Sequence, residues 1–281
     1  PLVEKLGREF FLTSPSSPGA YLFLDKDGVV LYAGSSCNLR QRLSSYRYVK
    51  PDKASCKVVR LVAEIDSATY ATSPDLPAAR RLENEWIRLH RPRFNSINVH
   101  PETNLFVGLS GASDRPILQW TRSPAEVDDR KVPRVHGAFR SRVAMRTLWA
   151  LRRLVWWRLF PNSTLRDLPC GWLDGTPPGR FELNLKGVFG RDAGRVARKL
   201  AEFWVADSAA LPNRLAGKSD EIISRCKDSF LRELLDRDRR ALLRFHRGAA
   251  CRNRMFRKVA RIPKKQFIDQ AQLDDFMTIP L

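Results

Sequence analysis

Residues 18–42 read PGAYLFLDKDGVVLYAGSSCNLRQR, and the fold is decided there. Ala20 to Leu24 and Val29 to Ala33 are runs of aromatic and branched residues, and Asp25-Lys26-Asp27-Gly28 between them is turn-forming, so the pair reads as an antiparallel hairpin. With Lys26 and Asp27 at the centre of the turn, Tyr21 lies directly opposite Tyr32, with Cβ atoms ~5 Å apart. With Asp27 and Gly28 central, as type I′ turn chemistry prefers, the two tyrosines become diagonal neighbours. Either register puts both rings on one face, because side chains alternate with period two. Gly34 follows where the strand must turn toward Asn38-Leu39-Arg40-Gln41-Arg42, and a glycine there lets backbone approach another group closely. Leu39 to Tyr46 is expected to be a short helix carrying Arg40 and Arg42.

Outward from this stretch, a Ser/Pro-rich lead-in (Ser14-Pro15-Ser16-Ser17) precedes the hairpin. Lys57 to Ile65 is valine-rich and is expected to be a third strand. Pro77 suits the first turn of a helix that runs to about His90 and stops before Pro92. Ala79, Leu82, Trp86 and Leu89 make its apolar stripe, with Glu83 at the border and Glu85 pointing elsewhere. Residues 101–135 read as loop-rich with one strand at Ile117 to Thr121. Arg142 to Phe160 is a strong helix, expected to pack Val143, Leu148, Leu151, Leu154, Val155 and Leu159 inward and to leave Arg146, Arg152, Arg153 and Arg158 outside. Thr164 to Gly179 is a loop. Asp192 to Val205 and Asp220 to Arg247 are further helices, followed by the basic run Arg252, Arg254, Arg257, Lys258, Arg261, Lys264 and Lys265.

The 281 residues include 50 Lys+Arg against 30 Asp+Glu, a formal net charge of +20. A polyanion is therefore the expected partner, with DNA or RNA first. No apolar run approaches the ~18 residues of a membrane-spanning helix and no signal-peptide pattern opens the chain, so a cytoplasmic protein of bacterial type, working at the nucleoid, is expected. Cys37, Cys56, Cys170, Cys226 and Cys251 show no metal-ligand spacing and read as idle thiols in a reducing compartment. His90, His100, His136 and His246 are equally unpatterned.

The spacing Gly19-Ala20-Tyr21, Tyr32-Ala33-Gly34, Asn38-Leu39-Arg40 and Arg42 resembles the GIY-YIG nuclease family, and within it the amino-terminal part of the excinuclease C proteins and their short stand-alone relatives. The resemblance continues through Leu82-Glu83 and Pro92-Arg93-Phe94-Asn95, and more thinly to about Met255. It implies an α+β fold: a small, mostly antiparallel sheet flanked by helices over residues 1–100, then a mainly helical, basic DNA- or partner-binding region over 101–281. It also implies a metal-dependent phosphodiester hydrolase that nicks one DNA strand in nucleotide excision repair. A non-catalytic DNA-binding or adaptor protein, and a nuclease of mobile elements or defence, are the alternatives.

The resemblance assigns Glu83 as ligand of a divalent cation, Mg²⁺ or Mn²⁺. It makes Tyr32 the phenol that helps deprotonate the attacking water, Tyr21 the residue that orients the site, Arg42 the phosphate grip and Asn95 the site asparagine. On the residues alone, Glu83 could equally pair with Arg80 or Arg88, the tyrosines could merely pack, Arg42 could be a plain DNA contact and Asn95 a turn residue. A phenol of pKa ~10 needs a metal or cations to act near neutrality, and Arg42 is the cation at hand. Ser35 stands where the family carries lysine, but its hydroxyl can still donate a hydrogen bond. The family's iron–sulfur cysteines are represented only by Cys170, so no iron–sulfur cluster is expected. Leu243 to Arg252 loosely resembles the motif by which excinuclease C proteins meet their helicase-like partner, excinuclease B, but is far more basic. The length leaves no room for a second nuclease domain, so one incision is expected.

Overall fold

The computed structural model describes residues 2–126, 134–173, 175–215, 228–263 and 266–277. Cys226, Lys264, Lys265 and the start of the helix expected over Asp220 to Arg247 lie outside the described residues. The chain forms two compact units, Pro1–Pro101 with Asp274–Leu281, and Glu102–Leu273.

The first unit is built on a three-stranded antiparallel sheet in the order β2-β1-β3, from β1 (Gly19–Leu24), β2 (Val30–Ser36) and β3 (Ser67–Thr72). The central strand is buried on both faces. One face of the sheet joins a cluster with Leu2 and Phe11 of α1 (Leu2–Thr13), Leu39 and Leu43 of α2 (Leu39–Ser45) and Leu61 of α3 (Cys56–Glu64), to which the strands contribute Tyr21, Phe23 and Leu31. The other face packs Leu22, Val30 and Ala33 against Ile87 of α4 (Leu76–His90). Period-two alternation divides β1 between two helical layers, and a register shift after Phe23, where Leu24 pairs with Val30, interrupts the alternation in β2.

The hairpin pairs Tyr21 with Gly34 and Phe23 with Tyr32, so the tyrosines are diagonal, their ring centroids 6.1 Å apart. The turn sets this register. Asp25 Oδ1 accepts from the amides of Asp27 (3.0 Å) and Val29 (2.9 Å), and Gly28 takes φ +77°, where a side chain would be strained.

The expected third strand is a helix instead. Lys57 to Ile65 lies in α3 and its end, whose N-cap Ser55 accepts from the Val58 amide. Val58, Leu61, Val62 and Ile65 recur at helical steps, and this pattern outweighs valine's strand preference. The true third strand, Ser67–Thr72, is more polar. In α4, Asp75 caps the first turn and Pro77 sits within it. Its buried residues are Ala79, Asn84 and Ile87; Leu89, expected in the stripe, is 72% exposed.

The second unit is helical, with a four-stranded antiparallel sheet in the order β6-β4-β5-β7: β4 (Leu105–Ala112), β5 (Arg115–Thr121), β6 (Arg134–Phe139) and β7 (Arg180–Glu182). Of these, sequence pattern alone points only to part of β5. The long helix α5 (Ser141–Leu159) buries Leu148, Leu151, Leu154 and Val155 in a core shared with the helices Ala193–Trp204 and Ser229–Phe245. Two assignments on α5 change: Val143 is exposed, and Arg153 is buried. Arg153 is held by Asp238 through Nε and Nη2, each at 2.6 Å, and donates from Nη1 to the Trp172 carbonyl at 2.6 Å. A buried guanidinium is tolerated because its charge and donors are met.

Among the described residues, no helix is long and apolar enough to cross a membrane. Cys37, Cys56, Cys170 and Cys251 are free and exposed.

Candidate active site

Four elements of the first unit converge. β1 brings Tyr21, β2 brings Tyr32, Gly34 and Ser35, α2 brings Arg42, and α4 brings Glu83. The helix α2 is started by Asn38, whose side chain accepts from the Gln41 amide at 2.9 Å, so Arg42 rises from a capped helix rather than a loop.

Tyr21 is fully buried, and its hydroxyl meets that of Tyr46 at 2.9 Å. Arg42 Nε donates to the Tyr21 hydroxyl at 3.1 Å and Nη2 donates to that of Tyr46 at 3.0 Å. The guanidinium is thereby fixed by two phenols. A Cβ at Gly34 would come within 2.5 Å of the Tyr21 ring, so the glycine is needed for closeness rather than for backbone angle.

Tyr46 is a member of the cluster that sequence reasoning does not single out. The available signal is its spacing four residues after Arg42 on one helix face. Lys57, hidden in the stretch that resembles a strand, also lines the site, and its Nζ donates to Ser96 Oγ at 3.2 Å.

Two adjoining clefts meet at Tyr32, Lys57 and Phe94. One, of about 340 Å³, is lined also by Arg42 and Tyr46; the other, of about 520 Å³, by Arg80, Glu83 and Asn95. Asn95 uses its carboxamide on the backbone of Ala33, accepting from the amide and donating to the carbonyl, both at 2.9 Å. It therefore holds β2 between Tyr32 and Gly34.

The electrostatics of the cluster follow from burial. Tyr32 is pushed up to about 12, by burial first and then by Tyr46 and Glu83, against the lowering influence of Arg42. The expectation that Arg42 would bring this phenol down is corrected: desolvation outweighs the cation. Tyr21 is raised well above the usual phenol range, again chiefly by burial. Arg42 is raised, its own burial outweighed by the surrounding phenols, and stays charged. Glu83 is raised by burial, which outweighs the Ser35 hydrogen bond and the nearby Arg80 and Arg42. Ser35 Oγ donates to Glu83 Oε2.

Among the described residues, no group of three or more His, Cys, Asp or Glu side chains could enclose a metal. One half-buried carboxylate on a polar cleft is the donor set of Mg²⁺, which keeps several waters and is commonly held by one or two carboxylates plus phosphate oxygens. The residues fit that ion and do not fit a closed zinc site.

This small antiparallel sheet with its flanking helices has the GIY-YIG fold. The family model for the UvrC-like GIY-YIG domain matches residues 17–96. Over most of its length the chain is similar to UvrABC system protein C of Salmonella paratyphi B, 28% identical across 94% of this chain and 40% of the relative. The same protein of Cronobacter sakazakii is 28% identical across 93% and 39%. The chain thus spans about two fifths of these curated relatives. Among solved structures, the GIY-YIG N-terminal endonuclease domain of UvrC from Thermotoga maritima, bound to magnesium, is 32% identical over 32% of this chain and 94% of that one, with a TM-score of 0.29.

Proposed function

We propose that the chain is a divalent-metal-dependent endonuclease that nicks one strand of DNA, and that it serves as a UvrC-type single-incision enzyme in nucleotide excision repair. The observation that carries this reading is the meeting of Glu83, Tyr32 and Arg42 at the adjoining clefts of a UvrC-like GIY-YIG domain. Similarity to UvrABC system proteins supports DNA as substrate, as does the net charge of +20.

Glu83 would hold Mg²⁺ or Mn²⁺, which supplies charge neutralisation at the scissile phosphate and acidifies bound water. The chain's own residues do the rest. Arg42, locked by Tyr21 and Tyr46, presents a permanent cation to phosphate oxygens, and its fixed orientation costs no reorganisation as charge develops. Tyr32, with its proton retained near neutral pH, orients an oxygen by hydrogen bonding. Lys57 and Arg80 extend the positive lining along the strand's path. Asn95 keeps Tyr32 in place through Ala33. The Leu243 to Arg252 stretch is proposed to meet an excinuclease B-like helicase.

Incubation of supercoiled plasmid with the protein is expected to give open-circular product when Mg²⁺ or Mn²⁺ is added and none with chelator. Binding to duplex DNA with chelator present should show a log–log salt slope of roughly −4 or steeper, from ~0.9 per phosphate contact. A flat slope would contradict the nucleic-acid reading.

A further inference from the structure

Asn84 follows Glu83 on α4 and is 2% exposed, where an amphipathic helix ordinarily buries an apolar residue. Its carboxamide is fully engaged. Nδ2 donates to the Asp274 carbonyl and to Asp275 Oδ1, both at 3.2 Å, and Oδ1 accepts from Asn98 Nδ2 at 2.8 Å. Asn98 makes this contact from left-handed backbone, φ 62°. One turn along, Arg88 Nη1 donates to Asp275 Oδ1 at 2.8 Å. Asp274 is fully buried, and Met277, three residues on, lines the same cleft as Tyr32, Glu83 and Asn95.

A segment 190 residues downstream of Asn84 is thus part of the first unit and of its cleft. A buried carboxamide is costly unless its hydrogen bonds are made, and a satisfied one fixes a single arrangement of the groups that meet it. Ser35 grips the Glu83 side chain from β2, while Asp274 and Asp275 grip the same helical turn through Asn84 and Arg88.

We infer that Asn84 is a positioning residue for Glu83 and that Asp274–Met277 forms a required wall of the site, so the metal-binding end of the cleft is incomplete without this late segment. The inference rests on the nuclease reading of Glu83 given above. Asp274–Met277 lies outside residues 17–96, the stretch that the domain model matches, yet belongs to the same compact unit.

The test uses the full chain and two variants, Asp275→Ala and Asn84→Ser, with Asp275→Glu as the conservative rescue and Arg115→Gln, on an exposed pair in the second unit, as control. Mn²⁺ affinity is read by electron paramagnetic resonance, separately from the Mg²⁺ concentration that half-saturates nicking. Both variants should weaken Mn²⁺ binding about tenfold, the size typical of outer-shell substitutions, and shift the Mg²⁺ half-saturation in step. Asp275→Glu and Arg115→Gln should stay near wild type. Asp275 is only partly buried, so Asp275→Ala should remain folded by circular dichroism even if Asn84→Ser does not. Wild-type Mn²⁺ affinity in a folded Asp275→Ala variant would overturn the inference. Wild-type protein that binds no Mn²⁺ would overturn both the inference and the metal-dependent reading. Weakened Mn²⁺ binding would support the inference even if no DNA substrate were cut.

Discussion

The hydroxyl of Ser35 on β2 donates to Oε2 of Glu83 on α4, joining two residues 48 positions apart. The position that carries a lysine in the resembled family here holds a neutral donor on the carboxylate. The serine hydroxyl orients the carboxylate without adding charge to the site.

Removing that donor has a signed consequence. The Ser35 hydrogen bond lowers Glu83, whose burial raises it. In Ser35→Ala the opposing influence is lost, so Glu83 keeps its proton to higher pH and the acid limb of the nicking rate shifts upward. A pH–rate profile at sub-saturating Mg²⁺, where proton and metal compete for Glu83, should show this displacement, and an unmoved limb would contradict it. Ser35→Lys is expected to keep or raise nicking by restoring the cation.

Glu83→Gln should stabilise the metal-free protein. The folded protein favours the protonated acid, so wild-type stability is fully present below the unfolded-state value and is lost as pH rises through the raised folded-state value. The variant's advantage in melting temperature should therefore be greatest above that value and vanish in acid.

Gly34→Ala should destabilise the first unit by ~1–3 kcal/mol, the usual cost of overpacking, because the added methyl group meets the Tyr21 ring. The loss of nicking should exceed the loss of folded protein, since a displaced Tyr21 releases Arg42. Chemical denaturation alongside activity separates the two effects.

In the second unit, Asp238→Ala leaves Arg153 buried without its carboxylate and should cost ~3–5 kcal/mol, whereas replacing both residues by apolar ones of similar volume should cost far less. Urea midpoints of the two variants decide between them.

The hairpin is legible in the sequence because two runs of aromatic and branched residues and an Asp-Gly turn agree, and α4 because Pro77 and the apolar spacing mark its start and inner face. The Lys57 to Ile65 stretch misleads because valine content and helical spacing point to different elements, and the Ser55 cap decides for helix. Most of the second unit's sheet escapes local reading: β4 (LFVGLSGA) is punctuated by glycines, and its partners become strands only through long-range pairing. Arg153 looks like surface because a buried arginine is visible only with its acid, 85 residues away. The tyrosines, Arg42, Glu83 and Asn95 are named through a family resemblance laid over local pattern. Tyr46, the Ser35–Glu83 bond and the Asn84 network depend on distances that no local pattern encodes.

The most direct measurement compares Mg²⁺-dependent nicking of supercoiled plasmid by wild type, Glu83→Gln and Glu85→Gln, with DNA binding measured in parallel. Glu85 points away from the cleft, since two helical residues turn the side chain by ~200°. Wild type and Glu85→Gln should nick alike, while Glu83→Gln should bind DNA within a few-fold and fail to cut. Cleavage by Glu83→Gln at the wild-type rate, or no metal-dependent nicking by wild type, would contradict the assignment of Glu83 as the metal-holding carboxylate of a nuclease.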